Sequence, residues 1–196
     1  MTLKEGQVNS DDSKSWHAYR EAEKLSDPTL IDELSDYVKQ ESNMDKRGAA
    51  YFVIGKLGMQ VRGSDCVQIL LEALRKETDR NELSRILDRL APLPKPSETD
   101  LRTIFGLLND KRWIVRHAAI QALANTESPI AEDHLLALLE KTEDLYDITY
   151  INSTLSNMGT PKALPYIEKN LASRKRDVKY SAQLAIETIR AKNLPI

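Results

Sequence analysis

Five segments of this 196-residue chain fall into register when written under one another: Lys46 to Gly58, Asp79 to Leu90, Trp113 to Asn125, Leu145 to Gly159 and Asp177 to Arg190. Ile54, Leu87, Leu123, Leu155 and Ile186 share one column, at steps of 33, 36, 32 and 31 residues. Four residues earlier stand Ala50, Leu83, Ala119, Ile151 and Ala182; seven earlier stand Arg47, Arg80, Arg116, Ile148 and Lys179. A second column, Val38, Leu74, Leu108, Leu139 and Leu171, runs through the segments between. These are Thr29 to Glu41, Ser64 to Glu77, Glu98 to Asn109, Ile130 to Lys141 and Lys162 to Ser173. A period in the thirties, made of apolar residues at helical spacing, predicts an all-α solenoid of stacked helix pairs. No single pair can cover its own apolar face, so each needs its neighbour.

Local signals agree with that reading. Asp27-Pro28, Ser128-Pro129 and Thr160-Pro161 each place a capping oxygen before a proline, and Ser97 with Asp100 has the spacing of a capping box. Ala18 and Ala22 precede Ala50 and Ile54 by 32 residues, so about Ser13 to Leu25 reads as a half repeat, with Trp16 and Tyr19 closing the end of the core. Residues 1–12 are polar and aperiodic and read as a flexible tail; residues 13–196 read as one repeat domain. The run Ala91-Pro92-Leu93-Pro94-Lys95-Pro96 cannot continue a helix and reads as a bend in the stack.

Composition narrows function only slightly. Net charge is −2, from 28 basic and 30 acidic residues, so no bulk excess points to nucleic acid. The single cysteine, Cys66, rules out an intramolecular disulfide and reads as a buried small hydrophobe. The start lacks a signal-peptide core and no apolar run reaches membrane-span length, which leads to the expectation of a cytoplasmic protein with no membrane partner.

The segment from Asn109 to Leu123, NDKRWIVRHAAIQAL, resembles a HEAT repeat, and more narrowly the short bacterial form found in phycobilisome lyases. Ser173 to Ala182 is a second match, and Asn157 to Leu164 is similar to the family's Gly-x-Pro-x-Ala-Leu connection. The resemblance covers about Pro28 to Lys192. It implies a right-handed α-α superhelix of about five helix pairs plus the N-terminal half repeat. It also implies that the basic column Arg47, Arg80, Arg116 and Lys179 forms a ladder with the turn acids Asp45, Asp79, Asp110 and Asp177. Trp113 is expected to pack under the next unit. Ile148 interrupts the ladder in the fifth unit.

Catalytic signatures do not emerge. His17, His117 and His134 contain no i, i+4 pair of the kind that holds a metal on a helix, and no cofactor is expected. His134 reads as a solvated residue of an outer helix. The resemblance makes the first-column helices the inner, concave layer, and helix phase then picks out a polar strip. It comprises Tyr51, Arg85, Asp88, His117, Gln121, Thr149, Asn152, Ser153, Tyr180, Gln183 and Glu187. Beside it Glu140, Glu143, Asp144 and Asp147 form a dense acidic patch. The sequence therefore favours a non-catalytic module that binds a protein partner. The narrowest guess is an immunity protein neutralising a bacterial toxin domain, with the acidic patch, Asp147 included, facing a basic toxin. The resemblance offers two alternatives, a bilin-lyase-like chaperone and a HEAT-like DNA glycosylase. The basic run Arg174-Lys175-Arg176 gives nucleic acid only weak support.

Overall fold

The computed structural model describes residues 14–193; the expected tail over residues 1–12 and the side chain of Trp16 lie outside this range of description. Among the described residues there are eleven α-helices. They are α1 (Lys14–Ala22), α2 (Thr29–Gln40), α3 (Met44–Gln60), α4 (Gly63–Lys76), α5 (Arg80–Leu90), α6 (Arg102–Leu107), α7 (Trp113–Ala122), α8 (Pro129–Leu139), α9 (Leu145–Met158), α10 (Leu164–Glu168) and α11 (Arg176–Lys192).

Side-chain oxygens start most of the first-column helices. Asn43 accepts from the Lys46 amide, Asp79 from those of Asn81 and Glu82, and Asp144 from those of Tyr146 and Asp147. Each satisfies amides that the first turn leaves free. Asp27 and Thr160 cap as expected, accepting from the Thr29 and Lys162 amides. Ser128 makes no side-chain cap bond. Nor does Ser97 cap its helix: Asp100 accepts from the Arg102 amide, and α6 starts later and is shorter than the periodicity predicts.

Helices α3, α5, α7, α9 and α11 pack along one another in series, while α2, α4 and α6 meet their layer neighbours more sparsely. The first-column helices thus form the more closely packed layer, the one that the family resemblance makes the inner layer. The first column is buried throughout: Ile54, Leu87, Leu123 and Leu155 are fully covered and Ile186 nearly so. A continuous apolar core runs from Ile31 to Ile189. Leu171 departs from the second column. Its segment is split into a 3₁₀ turn at Pro161–Ala163, α10, and a second 3₁₀ turn at Lys169–Ala172. The tighter winding shifts the side-chain phase, and Leu171 ends up exposed.

The proline-rich link is stitched to the next unit. The Lys95 amide donates to the Asn125 carbonyl and the Glu127 amide to the Lys95 carbonyl, both at 2.9 Å. Asn125 adopts φ 55°, in the left-handed region, and its side chain donates to the Ala91 carbonyl. Lys95 itself is fully buried, its Nζ donating to the carbonyls of Leu90 (2.8 Å) and Leu93 (2.6 Å). Burial pushes this amine down to about 7. In the sequence Lys95 stands only as one residue of a bend. A lysine between prolines carries no signal of burial, and only the closing of two consecutive turns on each other encloses it.

Candidate functional site

The inner surface divides into two parts. Over α7, α9 and α11 it is aromatic. Trp113 opens α7 and is 62% exposed; Tyr146, in the first turn of α9, is 71% exposed; Tyr180 of α11 is 67% exposed, with Leu184 one turn further at 47%. Trp113 thus points outward, where packing under the next unit was expected. It stands one turn before His117 on the same face, so its ring covers the imidazole, at a centroid separation of 5.5 Å. Tyr150 of α9 covers it at 4.7 Å and Tyr146 at 6.3 Å. His117 therefore occupies the outward helix phase that its position predicts, yet this roof buries it.

Beneath the roof lies an ion network. Arg116 Nε donates to both carboxylate oxygens of Asp147, at 2.9 and 2.8 Å, and Nη2 to Asp144 at 3.0 Å. Its Nη1 donates to the carbonyl of Asp110, in the turn before its own helix. Thr142 Oγ1 donates to Asp147 Oδ2. His117 Nε2 sits 2.9 Å from Asp147 Oδ1, but the angle is not that of a hydrogen bond, and this buried nitrogen is left unpartnered. Desolvation holds the imidazole below its ordinary range, against the pull of the Asp147 carboxylate. Ligand atoms of His117, Asp144 and Asp147 lie within 4.8 Å of one another, a span that suits a divalent ion. Arg116 already supplies the cation on the carboxylate oxygens, and the cluster reads as the clasp between α7 and α9.

Arg47 repeats part of this arrangement: it donates to the Glu41 and Ser42 carbonyls and to Glu77 at 3.2 Å. The basic ladder thus exists but follows a different rule. Each of these arginines binds the carbonyls of its own turn and an acid of the next unit. The acids expected as partners act elsewhere: Asp79 caps α5, Asp110 pairs with Arg112, Asp177 with Arg176, and Asp45 lies 3.6 Å from Arg85. Arg80 and Lys179 are exposed and form no ion pair among the described residues.

Of the other residues expected on the strip, Arg85, Asp88, Ser153, Tyr180, Gln183 and Glu187 are exposed, and Gln121 and Thr149 half-buried. Tyr51, Asn152 and Asp147 are buried and correct the reading. Tyr51 turns to the α2–α4 side, into a cavity shared with Val38, Ile69, Arg47 and Glu77. Asn152 is spent between helices, donating to Ser181 Oγ at 3.1 Å and accepting from Asn170. The acidic patch shrinks accordingly, because Arg116 engages Asp144 and Asp147, leaving Glu140 and Glu143 exposed. Cys66 is buried as expected, and burial pushes its thiol up to about 11. His134 is exposed and stacks on Phe105 at 4.1 Å. Sequence reasoning missed Trp113, Tyr146 and Leu184 as surface groups. Trp113 is expected to pack, Tyr146 and Leu184 carry no signal of their own, and only the phase of all three relative to Leu123, Leu155 and Ile186 could have exposed them.

The family described as HEAT repeats matches residues 67–149 and, in an overlapping register, 107–187. The chain belongs to the HEAT-repeat family. No curated protein matches it. Among solved structures, this HEAT-repeat chain is similar to an engineered protein with a TM-score of 0.55 at 19% identity, covering 92% of this chain and 94% of that one. A second engineered protein gives 0.51 at 20%, with 93% of each chain covered. A designed armadillo repeat protein gives 0.51 at 17%, covering 91% of this chain and 95% of its own. At such identities the likeness is one of fold. Among the described residues, no helix of this HEAT stack is long and apolar enough to cross a membrane.

Proposed function

We propose that the protein is a non-catalytic binding module that engages a protein partner through its inner helix layer. The observation that carries this reading is the row of Trp113, Tyr146, Tyr180 and Leu184, solvent-facing on three consecutive inner helices. Large apolar groups left exposed on one layer mark interaction sites, and Trp113 and Tyr146 meet over the same imidazole. Trp and Tyr are the residues most enriched among interface anchors, because they bury much area at small entropic cost. The HEAT architecture supports the same reading, since solenoids present extended concave surfaces. The buried ion network gives the anchors a rigid floor, which lowers the ordering cost of binding.

A basic toxin domain is a narrower version of this partner. The surface it would use is now the exposed pair Glu140 and Glu143, and the aromatic row is the stronger feature. The test is capture from native lysate with the wild-type chain and with Trp113→Ala/Tyr146→Ala/Tyr180→Ala. A stoichiometric protein bound by the former and lost from the latter is the expected result. Equal retention by the triple variant overturns the placement.

A further inference from the structure

The inner surface over α1, α3 and α5 differs from the aromatic half. Here a cavity of about 480 Å³ is lined by residues including Tyr19, Phe52, Gly48, Arg85 and Arg89. The Arg89 guanidinium lies over the Phe52 ring, 5.1 Å from its centroid, and Tyr19 meets that ring edge-on at 4.6 Å. Arg89 forms no hydrogen bond and no ion pair with any described residue; the carboxylate that interacts with it through space, that of the adjacent Asp88, is not in pairing contact. Stacked guanidinium groups keep their N–H edges free for an acceptor in the ring plane.

Glycines seat this arginine and its neighbour one turn earlier. A Cβ on Gly55 would lie 3.0 to 3.3 Å from the Cβ, Cγ and Cδ of Arg89, and one on Gly48 would lie 2.9 Å from Arg85 Nη1. Gly48 and Gly55 are two turns apart on α3, and Arg85 and Arg89 one turn apart on α5. Each interior glycine weakens the helix relative to alanine. Arg85 is balanced by Glu82 at 2.6 Å and by Asp45 at 3.6 Å, and Lys56 by Glu23 at 3.0 Å. Arg89 is the guanidinium of this cavity without a counter-charge in contact.

We infer that this cavity is a carboxylate-binding subsite, in which Arg89, stacked on Phe52, receives an Asp or Glu side chain of the protein partner. It rests on the reading of the inner layer as a protein-binding surface and adds the chemistry of one contact. One open guanidinium calls for one negative charge, and a carboxylate matches its two parallel N–H bonds. A phosphate brings more charge than Arg89 balances, and Asp45, which lines the cavity, opposes the excess. The segment that fits the layer therefore carries an acidic residue at the α3–α5 end and apolar groups at the α7–α11 end.

The experiment is an NMR titration of the full ¹⁵N-labelled chain, following arginine Nε–Hε signals. The probes are acetyl-Glu₄-amide, acetyl-Gln₄-amide and inorganic phosphate. The Glu peptide should shift the Arg89 signal saturably, and the Gln peptide should not. Arg89→Gln should lower affinity for the Glu peptide at least about tenfold, and Arg89→Lys, which keeps the charge but loses the fork, several-fold. Non-saturating shifts, equal shifts with the Gln peptide, or an Arg89→Gln affinity within twofold of wild type overturn the subsite. So does tighter binding of phosphate than of the Glu peptide. Both substitutions are at the surface of the groove, and an unchanged melting temperature confirms folding. Loss of partner capture by the aromatic triple variant is read separately, so either idea can fail alone.

Discussion

Arg116 Nε reaches both carboxylate oxygens of Asp147, a residue 31 positions further along the chain, at 2.9 and 2.8 Å. The separation is one repeat, so the pair joins consecutive units. Both side chains are largely buried, at 16% and 4% exposure. Removing one partner of a buried pair strands the other charge, which costs about 3–5 kcal/mol. Arg116→Met should lose that much in urea unfolding. Asp147→Leu added to it should recover a large part, because two well-packed apolar groups need no counter-charge. A loss below about 1 kcal/mol in the single variant would show that apolar packing alone joins α7 to α9.

Lys95 makes stability depend on alkaline pH. Its folded-state value is near 7 against the ordinary 10.5. Between these limits the unfolded chain binds one more proton than the folded one, so stability rises with pH. The slope reaches about 1.4 kcal/mol per pH unit at most. The cost of burying the charge is present in full below pH 7 and gone above about 10.5. Urea midpoints measured from pH 7 to 10 should rise for the wild type, and Lys95→Met should lack this component. An identical slope in both would place the charge in solvent.

Glu132 of α8 is buried and accepts from the Thr160 amide at 2.7 Å and from Thr160 Oγ1. Glu132→Ala removes the acceptor of two part-buried bonds that join α8 to the next turn, for an expected loss of about 1 kcal/mol. Thr160→Val keeps the amide bond to Glu132 and should cost about half as much. Thermal or urea unfolding of the two variants gives the ranking, and a reversed order would contradict this assignment.

The aromatic roof controls His117. Trp113→Ala with Tyr146→Ala admits water to the ring, and because desolvation is the main cause of the lowered value, the imidazole should titrate closer to its ordinary 6.5. Histidine ¹H–¹³C signals followed from pH 4 to 8 report it. Unfolding free energy should fall by only a few tenths of a kcal/mol for Tyr146→Ala, which is mostly exposed. An unmoved titration would mean that Tyr150 alone shields the ring.

The two columns made the architecture legible because helical spacing and a thirty-odd-residue period depend on local chemistry alone. Ile54, Leu87, Leu123, Leu155 and Ile186 are core residues in any stack that buries one face of each helix. The cap at Asp27 and the proline-started helix at Pro129 are local for the same reason. Leu171 failed because Pro165 and two 3₁₀ turns change the winding within one segment.

The face toward a partner was legible only in part. Tyr180, Gln183 and Glu187 stand where phase puts them, since no later helix packs over α11 among the described residues. His117 and Asn152 have the phases of Tyr180 and Gln183 and yet lie buried, because an adjacent helix brings Tyr150 or Ser181 against them, and Asp147 is buried against Arg116. Lys95 is buried by a contact between turns 30 residues apart, and Arg89 lies half-buried over Phe52 because Gly55 lets it settle against α3. The sequence by itself determined the repeat, its helices and its core column, all set by periodicity within each helix. Which polar and aromatic side chains are covered, paired or left open was decided only in the tertiary structure, because it depends on what the neighbouring unit places opposite them.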